Sequence, residues 1–298
     1  DPDSLYRLLR GLASLGVVAE TVPGSFILTS LGLPLRKDSP NSVWPSVVFW
    51  ADLLADSWSY LTDCVRTGKT SMEVMESQGI ASRWSKDPDA PAIFRAVMGS
   101  GPAEDYMPIV ESWDFSASRI VADVGGGGGA LIRAILTRYP GLKGMLVDRP
   151  QAVEQASPKF ESEGLADRTQ LIAADLLESV PSGADTYLIK HVLHGYTDDV
   201  AVNVLENCRK AMKPEGRLLV IEFVLPDVVA QPDPEIEVRV MSDLNMMAVT
   251  GGKERSAGEW SRLLLRSGFK PQRIIPVSES HPGQEVSIIE AFLSDSSE

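Results

Sequence analysis

The sequence has few cysteines and no long apolar run, and each absence narrows the class of protein. The two cysteines, Cys64 and Cys208, lie far apart in predicted helices, so we expect buried free thiols in a reducing cytoplasm and no disulfide framework. No apolar run approaches the ~20 residues of a membrane span. The N-terminus lacks the basic start and apolar stretch of a signal peptide. These features predict a cytoplasmic globular protein with no membrane partner.

Positive charge is also scarce. The chain has 41 acidic and 28 basic residues, a net charge of −13, and no cluster of Lys or Arg. Nucleic-acid-binding proteins draw much of their affinity from a basic face that neutralises phosphates. The acidic charge therefore argues against a nucleic acid partner and favours a small-molecule substrate.

Residues 1–110 are predicted to form a mainly helical domain. Apolar residues at helical spacing from Asp3 to Gly16 predict a first helix, and the run that follows predicts a hairpin around Pro23-Gly24. Further helices are predicted over Asp52 to Val65 and Pro91 to Met98. This pattern suggests a winged-helix module, which without a basic recognition helix would serve dimerisation or cover the substrate. Because the sequence opens within a predicted helix, we expect part of this domain to be missing.

Strands alternate with helices from Arg119 onwards. The predicted strands are RIVADV, GMLVD, TQLIAAD, DTYLIKHVL and RLLVIEFVL. Such alternation predicts a parallel, doubly wound sheet. The last two runs, PQRIIPV and EVSIIEAFL, have no long helix between them and predict an antiparallel pair at one edge. Residues 111–298 are therefore predicted to form an α/β domain of the Rossmann-like class I methyltransferase type.

The sharpest motif is a run of five glycines between the first of these strands and its helix. Asp123 and Val124 precede Gly125 to Gly129. Glycines allow positive φ and close approach of the backbone to a ligand, and the next helix points its N-terminus at that ligand. A flexible loop or a dinucleotide-binding turn would also contain such glycines. The acidic residues that follow are needed to choose between these interpretations of the glycine run.

Two aspartates end the next two predicted strands. Asp148 lies 148 − 125 = 23 positions after Gly125, which suits a carboxylate that binds ribose hydroxyls. Asp175 is placed to meet an adenine edge, or alternatively to cap a helix. A sulfonium cofactor has no pyrophosphate, so acidic neighbours favour it over NAD or NADP. The glycine loop is therefore predicted to bind a sulfonium nucleoside.

Two of the three histidines, His191 and His194, lie where the fourth strand ends, the edge at which ligands bind in such sheets. Alternatively, the two histidines bind a metal ion or have a structural role, but the sequence shows no further metal ligands at a suitable spacing nearby. We expect His194 to be a general base for a hydroxyl acceptor. Glu222, in the apolar fifth strand, and Glu254 are candidates for a carboxylate on its far ring nitrogen. Alternatively, Glu222 lies at the surface and Glu254 begins the last helix.

With these motifs in this order, the sequence resembles the aromatic O-methyltransferases of plants, fungi and antibiotic-producing bacteria. The resemblance covers nearly the whole chain and rests on DVGGGGGALI, GMLVDRP, IAADLL, LIKHVLHGYTDD, LLVIEFVLP and DLNMMAVTGGKERSAGEWSRLL. It implies transfer of a methyl group from S-adenosylmethionine to a hydroxyl of a small aromatic molecule, leaving S-adenosylhomocysteine. It also implies that no metal is needed and that the chain forms a homodimer through its N-terminal domain.

The resemblance implies specific site residues. His194 is the base, flanked by Glu222 and Glu254. The cofactor is expected to contact Asp123, Gly125, Gly126, Gly127, Asp148, Arg149, Asp175, Leu176, Lys190 and Tyr196. The acceptor is expected to contact Met241, Asn245 and Met246, with Met247, Trp44, Trp50 and Trp58 as weaker candidates. Ordinary core packing is the alternative for the methionines.

One position departs from the family pattern. An acidic residue usually follows the catalytic histidine, often with Trp after it, whereas this chain has Gly195 and Tyr196. Some relatives bind the cofactor but catalyse hydroxylation or decarboxylation. A non-methylating reaction and an NAD-type dehydrogenase are therefore the alternative functions, and the presence of His194 favours methyl transfer.

Overall fold

The computed structural model describes residues 1–39, 42–98, 103–277 and 285–294, which divide into two compact units. The first unit contains residues 1–56 and 81–97, and the second contains residues 57–80 and 98–298. The packing therefore differs from the single predicted boundary near residue 110, because two segments before that residue pack with the second unit.

The first unit begins with the predicted helix and hairpin. Helix α1 spans Pro2–Ser14, and strands β1 (Val18–Val22) and β2 (Ser25–Leu28) pair antiparallel. Gly16, with φ +75°, follows the helix, and Gly24, with φ +80°, lies in the hairpin turn. Both turns need the positive φ that glycine adopts without penalty. The sequence predictions for this segment are confirmed.

Several short helical segments follow, and the helix predicted over Pro91 to Met98 is confirmed. They are α2 (Trp44–Val48), a π-helical turn (Phe49–Leu54), α3 (Ala55–Ser59), α4 (Leu61–Thr67), α5 (Ser71–Ser77), α6 (Arg83–Lys86) and α7 (Ala90–Met98). The single helix predicted over 52–65 is wrong, because the chain starts a new helix after Tyr60. In the first unit, the buried Phe49 ring makes edge contact with Trp84 at 5.7 Å.

The second unit contains the predicted sheet. Its strands are β3 (Ile120–Val124), β4 (Lys143–Asp148), β5 (Thr169–Ala173), β6 (Thr186–Lys190), β7 (Arg217–Glu222), β8 (Val224–Leu225), β9 (Arg255–Ser256), β10 (Phe269–Pro276) and β11 (Ser287–Leu293). Its further helices are α8 (Met107–Ser112), α9 (Ala130–Arg138), α10 (Pro150–Ser162), α11 (Asp198–Ala211), α12 (Pro234–Val249) and α13 (Ala257–Arg266). Helices α4 and α5 contact α12, and α8 contacts α9, which explains why their segments belong to this unit.

Seven strands form one sheet in the order β10-β11-β7-β6-β3-β4-β5. The β3, β4, β5, β6 and β7 pairings are parallel, whereas β11 is antiparallel to both β7 and β10. The predicted antiparallel edge is therefore confirmed. The order reverses between β3 and β6, so a crevice opens at their carboxyl ends, where ligands bind in such sheets. No helix in the described part of the chain is long and apolar enough to cross a bilayer.

Alternation along the strands produces a core on each face of the sheet. On β3, Ala122 and Val124 join a buried cluster with α11 and α13, whereas Val121 joins a second cluster with α8, α9 and α10. Residues buried on both faces explain the nearly unbroken apolar runs of the sequence. The predicted fifth strand, however, is interrupted at Phe223. The main sheet includes β7 up to Glu222, and Val224–Leu225 pair in parallel with Arg255–Ser256 instead.

Candidate active site

The glycine loop lies at the carboxyl end of β3. Gly125, Gly127 and Gly129 have φ of +75°, +56° and +72°, so these positions need glycine. A Cβ on Gly125 would approach a methyl of Val192 to 2.6 Å, which means that this loop packs directly against the histidine segment. Gly127 differs, because a Cβ there would meet nothing within 4 Å. Its backbone therefore borders open space in which a ligand fits.

Asp123 and Asp148 lie beside this loop. The Gly127 N–H donates to Oδ2 of Asp148 at 2.8 Å, and the Arg149 N–H donates to Oδ1 at 2.6 Å. Asp123 is buried, and its Oδ2 makes no hydrogen bond with any residue that the structure describes. Burial, helped by the nearby Asp148 charge, raises the pKa of Asp123 to about 7. A buried acceptor without a partner and an acidic loop edge fit the ammonium and sulfonium groups of S-adenosylmethionine.

The other predicted cofactor residues surround the same crevice. Asp175 is exposed and lies two residues beyond β5, so it does not end that strand as predicted. Its Oδ1 accepts the Leu177 N–H at 2.9 Å. The residues that follow Asp175 form a turn, so this side chain does not cap a helix. Leu176 is partly buried and would lie 3.4 Å from a Cβ on Gly125. Lys190 ends β6 with its ammonium 5.1 Å from the Tyr106 ring centre.

His194 lies in a short 3₁₀ turn (Leu193–Gly195) directly after β6. Its Nδ1 is 2.8 Å from Oε1 of Glu254, which also accepts a hydrogen bond of 2.8 Å from the Ser242 hydroxyl. Because Glu254 is buried, an ionised carboxylate there needs such partners. The structure therefore assigns Glu254 as the carboxylate in contact with the far nitrogen of the ring, and it does not begin α13. That helix begins instead with Ser256 as its N-cap.

Glu222 also lies beside His194, although Glu254 makes the closer contact with its ring. It is fully buried at the end of β7, and its Oε1 accepts backbone N–H groups of Val192, Leu193 and His194 at 3.0, 3.0 and 3.4 Å. Its Oε2 lies 3.8 Å from Nδ1 of His194. Glu222 thus fixes the backbone of the histidine turn and adds negative charge beneath the ring. The alternative surface position is wrong.

The two carboxylates change the proton affinity of His194. Burial by itself would lower the pKa of His194, but the charge of Glu222 and the hydrogen bond and charge of Glu254 outweigh it, so that pKa is raised. Burial opposes ionisation of Glu222, yet the neighbouring histidines and the backbone N–H groups lower its pKa. The result is a more basic His194 imidazole beside a Glu222 carboxylate that favours its ionised form.

The segment 251–255 also contacts the histidine turn, Leu193–Gly195, and helps to fix its backbone. Arg255 is fully buried and donates to the carbonyls of Leu193 and Tyr196 at 3.1 and 3.0 Å, and to the Asp198 carboxylate at 2.9 Å. A Cβ on Gly252 would overlap the carbonyl oxygen of His194. The two backbone segments are therefore in direct contact.

Sequence reasoning did not identify Arg255, Gly252, Ser242 or Asp243. Asp243 accepts the Glu254 N–H at 2.8 Å, so it and Ser242 orient Glu254 from α12. The motif GGKER contained a signal for two of these residues, since a buried arginine beside a proposed active-site glutamate must contact backbone or acidic groups.

His191 also contacts this cluster. Its Nδ1 is 3.3 Å from Oε2 of Glu222, and its ring centre lies 5.2 Å from that of His194. Its φ is +50°, the one positive φ at a non-glycine residue among the described residues. Burial, helped by the charge of Lys190, lowers the pKa of His191, in contrast to that of His194.

The predicted acceptor residues lie on α12. Met241 is exposed, Met246 and Met247 are partly buried, and Asn245 accepts a hydrogen bond of 3.1 Å from the Trp58 indole. Asn245 and Trp58 therefore lie side by side. Trp44 and Trp50 belong to the other compact unit, and their contact with an acceptor stays a prediction.

Comparison with known proteins gives a consistent result. A family model described as an O-methyltransferase domain matches residues 58–270. The chain is 36% identical over 275 residues to the mitomycin biosynthesis 6-O-methyltransferase of Streptomyces lavendulae, covering 92% of this chain and 77% of that protein. It is 32% identical over 287 residues to a phenazine O-methyltransferase of Lysobacter antibioticus, covering 96% and 81%.

A solved structure with bound ligands is also similar. It is an O-methyltransferase from neocarzinostatin biosynthesis in complex with S-adenosylmethionine and 2-hydroxy-5-methyl naphthoic acid. The identity is 30% and the TM-score 0.77, with 98% of this chain and 85% of that chain covered.

Proposed function

The chain belongs to the O-methyltransferase family, and we propose that it methylates a hydroxyl of a small aromatic natural product with His194 as general base. The observation that carries this proposal is the contact of 2.8 Å between Nδ1 of His194 and Glu254. It occurs at the carboxyl end of β6, next to the glycine loop. The dehydrogenase alternative has no support in the family.

The contact with Glu254 selects the tautomer of His194. When Nδ1–H donates to the carboxylate, the lone pair of a neutral ring lies on Nε2. Nε2 is then the base that takes the proton of the acceptor hydroxyl. Bound S-adenosylmethionine supplies the electrophilic methyl group. As the hydroxyl oxygen formed a bond to that carbon and the carbon–sulfur bond broke to leave S-adenosylhomocysteine, the hydroxyl proton would pass to Nε2 of His194, and the charge of Glu222 and Glu254 would stabilise the imidazolium.

The raised pKa of His194 reduces the cost of this proton transfer. A phenol titrates near ~10 and an ordinary histidine near ~6.5, so complete transfer in advance would cost about 5 kcal/mol. Carboxylates that raise the pKa of His194 narrow this difference. Transfer during formation of the oxygen–carbon bond lowers the cost further.

We assign the cofactor site to the crevice between β3 and β6. We assign Asp148 to the ribose hydroxyls and Asp175 and Leu176 to the adenine, and we expect Tyr196 to pack on that ring. Asp123, Arg149, Lys190 and the glycines Gly125, Gly126 and Gly127 complete the set. The support is that these residues lie at the carboxyl ends of β3, β4 and β6 or in the loops that follow the strands, and that the backbone of Gly127 in one of these loops borders open space.

The acceptor class comes from the relatives. Their names refer to mitomycin, phenazine and naphthoic acid, which supports an aromatic acceptor here. We assign Met241, Asn245 and Met246 as its contacts, because α12 also contains Ser242 and Asp243 that orient Glu254. Thioethers adapt well to aromatic rings.

We further propose that the chain forms a homodimer through its N-terminal unit. No residue of α1 is buried, and Leu5 and Leu8 are 55% and 59% exposed. An apolar helix face that is open to solvent is expected to be covered by another molecule. Molar mass from light scattering tests this, and a monomer at micromolar concentration would contradict it. A cytoplasmic location also stays a prediction.

The test of the base uses two histidines of the same segment. His194→Gln should lower methylation by about 10²-fold or more, because a general base contributes on that scale. His191→Asn is the matched control, because asparagine tolerates the φ of +50° at this position, and it should keep the activity. A panel of phenolic and polyketide-like compounds, screened by mass spectrometry for the gain of one methylene, supplies the acceptor. Calorimetry should give unchanged S-adenosylmethionine affinity for both variants. Equal turnover of His194→Gln and wild type would contradict the assignment.

A further inference from the structure

We propose that His191, His194 and Glu222 form an inhibitory binding site for Zn²⁺ and similar transition-metal dications, an inference that rests on the proposed role of His194. One nitrogen from each histidine and one carboxylate oxygen lie within 4.8 Å of one another. Methyl transfer as proposed above uses no metal, so the site would act by removing the base.

The spacing of these atoms fits a tetrahedral ion. Zn–N and Zn–O bonds of ~2.0–2.1 Å at tetrahedral angles place neighbouring ligand atoms about 3.4 Å apart. Oε2 of Glu222 lies 3.3 Å from Nδ1 of His191 and 3.8 Å from Nδ1 of His194. Two of the separations thus lie close to the edges of such a tetrahedron, and the ligand atoms that the three residues offer all lie within 4.8 Å of one another.

Several of these atoms have unused bonding capacity. Nδ1 of His191 and Oε2 of Glu222 are buried and make no hydrogen bond with the described residues. Oε2 of Glu254 is also buried and makes no hydrogen bond with the described residues, whereas Oε1 of the same carboxylate contacts His194. Buried polar atoms without a partner are costly. A cation bound by His191, His194 and Glu222 would satisfy Nδ1 of His191 and Oε2 of Glu222 together, with water as the fourth ligand.

The backbone at His191 supports the assignment. Its φ of +50° is uncommon for a residue with a Cβ and is unfavourable by roughly 1 kcal/mol or more. This conformation accompanies the approach of its ring to Glu222 and His194. The proposed methyl transfer has no use for His191, so metal binding gives this strained residue a role.

Occupation of the site would inactivate the base by a change of tautomer. A metal at Nδ1 of His194 uses that lone pair, and the proton formerly on Nδ1 must reside on Nε2 or leave to solvent. At neutral pH a coordinated imidazole keeps its proton on Nε2, so the atom that should accept the hydroxyl proton becomes a donor. The hydrogen bond from Nδ1 of His194 to Glu254 is also lost, because Nδ1 no longer carries a proton.

The ligand set predicts selectivity. Imidazole and carboxylate donors favour Zn²⁺, Cu²⁺, Ni²⁺ and Co²⁺, whereas Mg²⁺ and Ca²⁺ prefer oxygen ligands. The thiols offer no competing site of this kind, because neither Cys64 nor Cys208 belongs to a group of three possible ligands among the described residues. Inhibition by Zn²⁺ but not by Mg²⁺ is therefore the expected pattern.

The experiment measures methyl transfer by the full chain against free Zn²⁺ that is held constant by a chelator buffer. His191→Asn is the test variant, because asparagine tolerates positive φ and should keep the turn. Loss of one ligand should raise the inhibitory Zn²⁺ concentration by about 10-fold or more, on the scale of perturbed metal sites. EDTA should leave wild-type activity unchanged, and Mg²⁺ should not inhibit. Equal Zn²⁺ inhibition of wild type and His191→Asn would overturn the proposal.

Cobalt provides a readout that is independent of activity. Co²⁺ added to wild type should develop the intense visible absorption of a four-coordinate ion, and His191→Asn should not. If both give the pale six-coordinate spectrum, the site does not exist. If the four-coordinate spectrum forms but no phenolic acceptor is methylated, the metal site stands and the proposed function fails. Thermal unfolding of His191→Asn, compared with that of wild type, guards against misfolding of the variant.

Discussion

Replacement of Gly252 by alanine should separate the histidine turn from the segment that supports it. A Cβ there would overlap the His194 carbonyl oxygen and lie 2.6 Å from the Gly195 carbonyl carbon. An ordinary contact is ~3.5 Å, so the segments must move apart by about 1 Å. Such overpacking destabilises by about 1–3 kcal/mol. A displacement of that size at a catalytic group lowers the rate by about 10²-fold.

Gly195→Ala is the matched control, because a Cβ at that neighbouring glycine would meet nothing within 4 Å. Neither Gly195 nor Gly252 has a positive φ, so the two variants differ in steric overlap and not in backbone strain. Turnover, thermal unfolding and calorimetric S-adenosylmethionine affinity should be measured for both. We expect low turnover and retained cofactor binding for Gly252→Ala, and near wild-type values for Gly195→Ala. Wild-type turnover and melting temperature in Gly252→Ala would refute the reasoning.

Three further substitutions test the site. Glu254→Gln removes a negative charge that raises the pKa of His194, so the acidic limb of kcat/KM, where His194 gains a proton, should move to lower pH; an unmoved limb would contradict this coupling. Its maximal rate should fall about 10²-fold. Arg255→Lys cannot make all of the hydrogen bonds to the buried carbonyls of Leu193 and Tyr196, so it should lower the free energy of unfolding by about 1–3 kcal/mol. A urea titration identical to that of wild type would argue against this role. Asp148→Ala should weaken S-adenosylmethionine binding about 10–100-fold, the scale of a lost charge-assisted hydrogen bond; unchanged affinity in calorimetry would remove Asp148 from the site.

The absence of an acidic residue after His194 is accommodated by this chain. A Cβ on Gly195 would meet nothing within 4 Å, so a side chain at this position is not needed to pack against the described residues of the site. The ring of His194 is held instead by Glu254 and by the turn that Glu222 and Arg255 fix. The departure from the family pattern therefore leaves the proposed base in place.

The fold followed from local patterns with few errors. Strands β3, β6 and β7 are buried on both faces, so burial required the apolar runs from which the sheet was predicted. Errors occurred where tertiary contacts overrode the pattern. Phe223 interrupts the predicted fifth strand, and its carbonyl accepts the Trp260 indole N–H at 3.1 Å. The predicted helix over 52–65 divides at Tyr60, which no periodicity indicated.

By itself the sequence determined the parallel sheet, the glycine turn and the choice of His194, because strand burial, positive φ and the scarcity of histidine are local properties. The tertiary structure decided which carboxylate serves which group. Pairing of β6 with β7 places Glu222 beneath the histidine turn, and pairing of β8 with β9 brings Glu254 and Arg255 to it from a distant segment. Strand register sets these distances, and register depends on the packing of the whole domain.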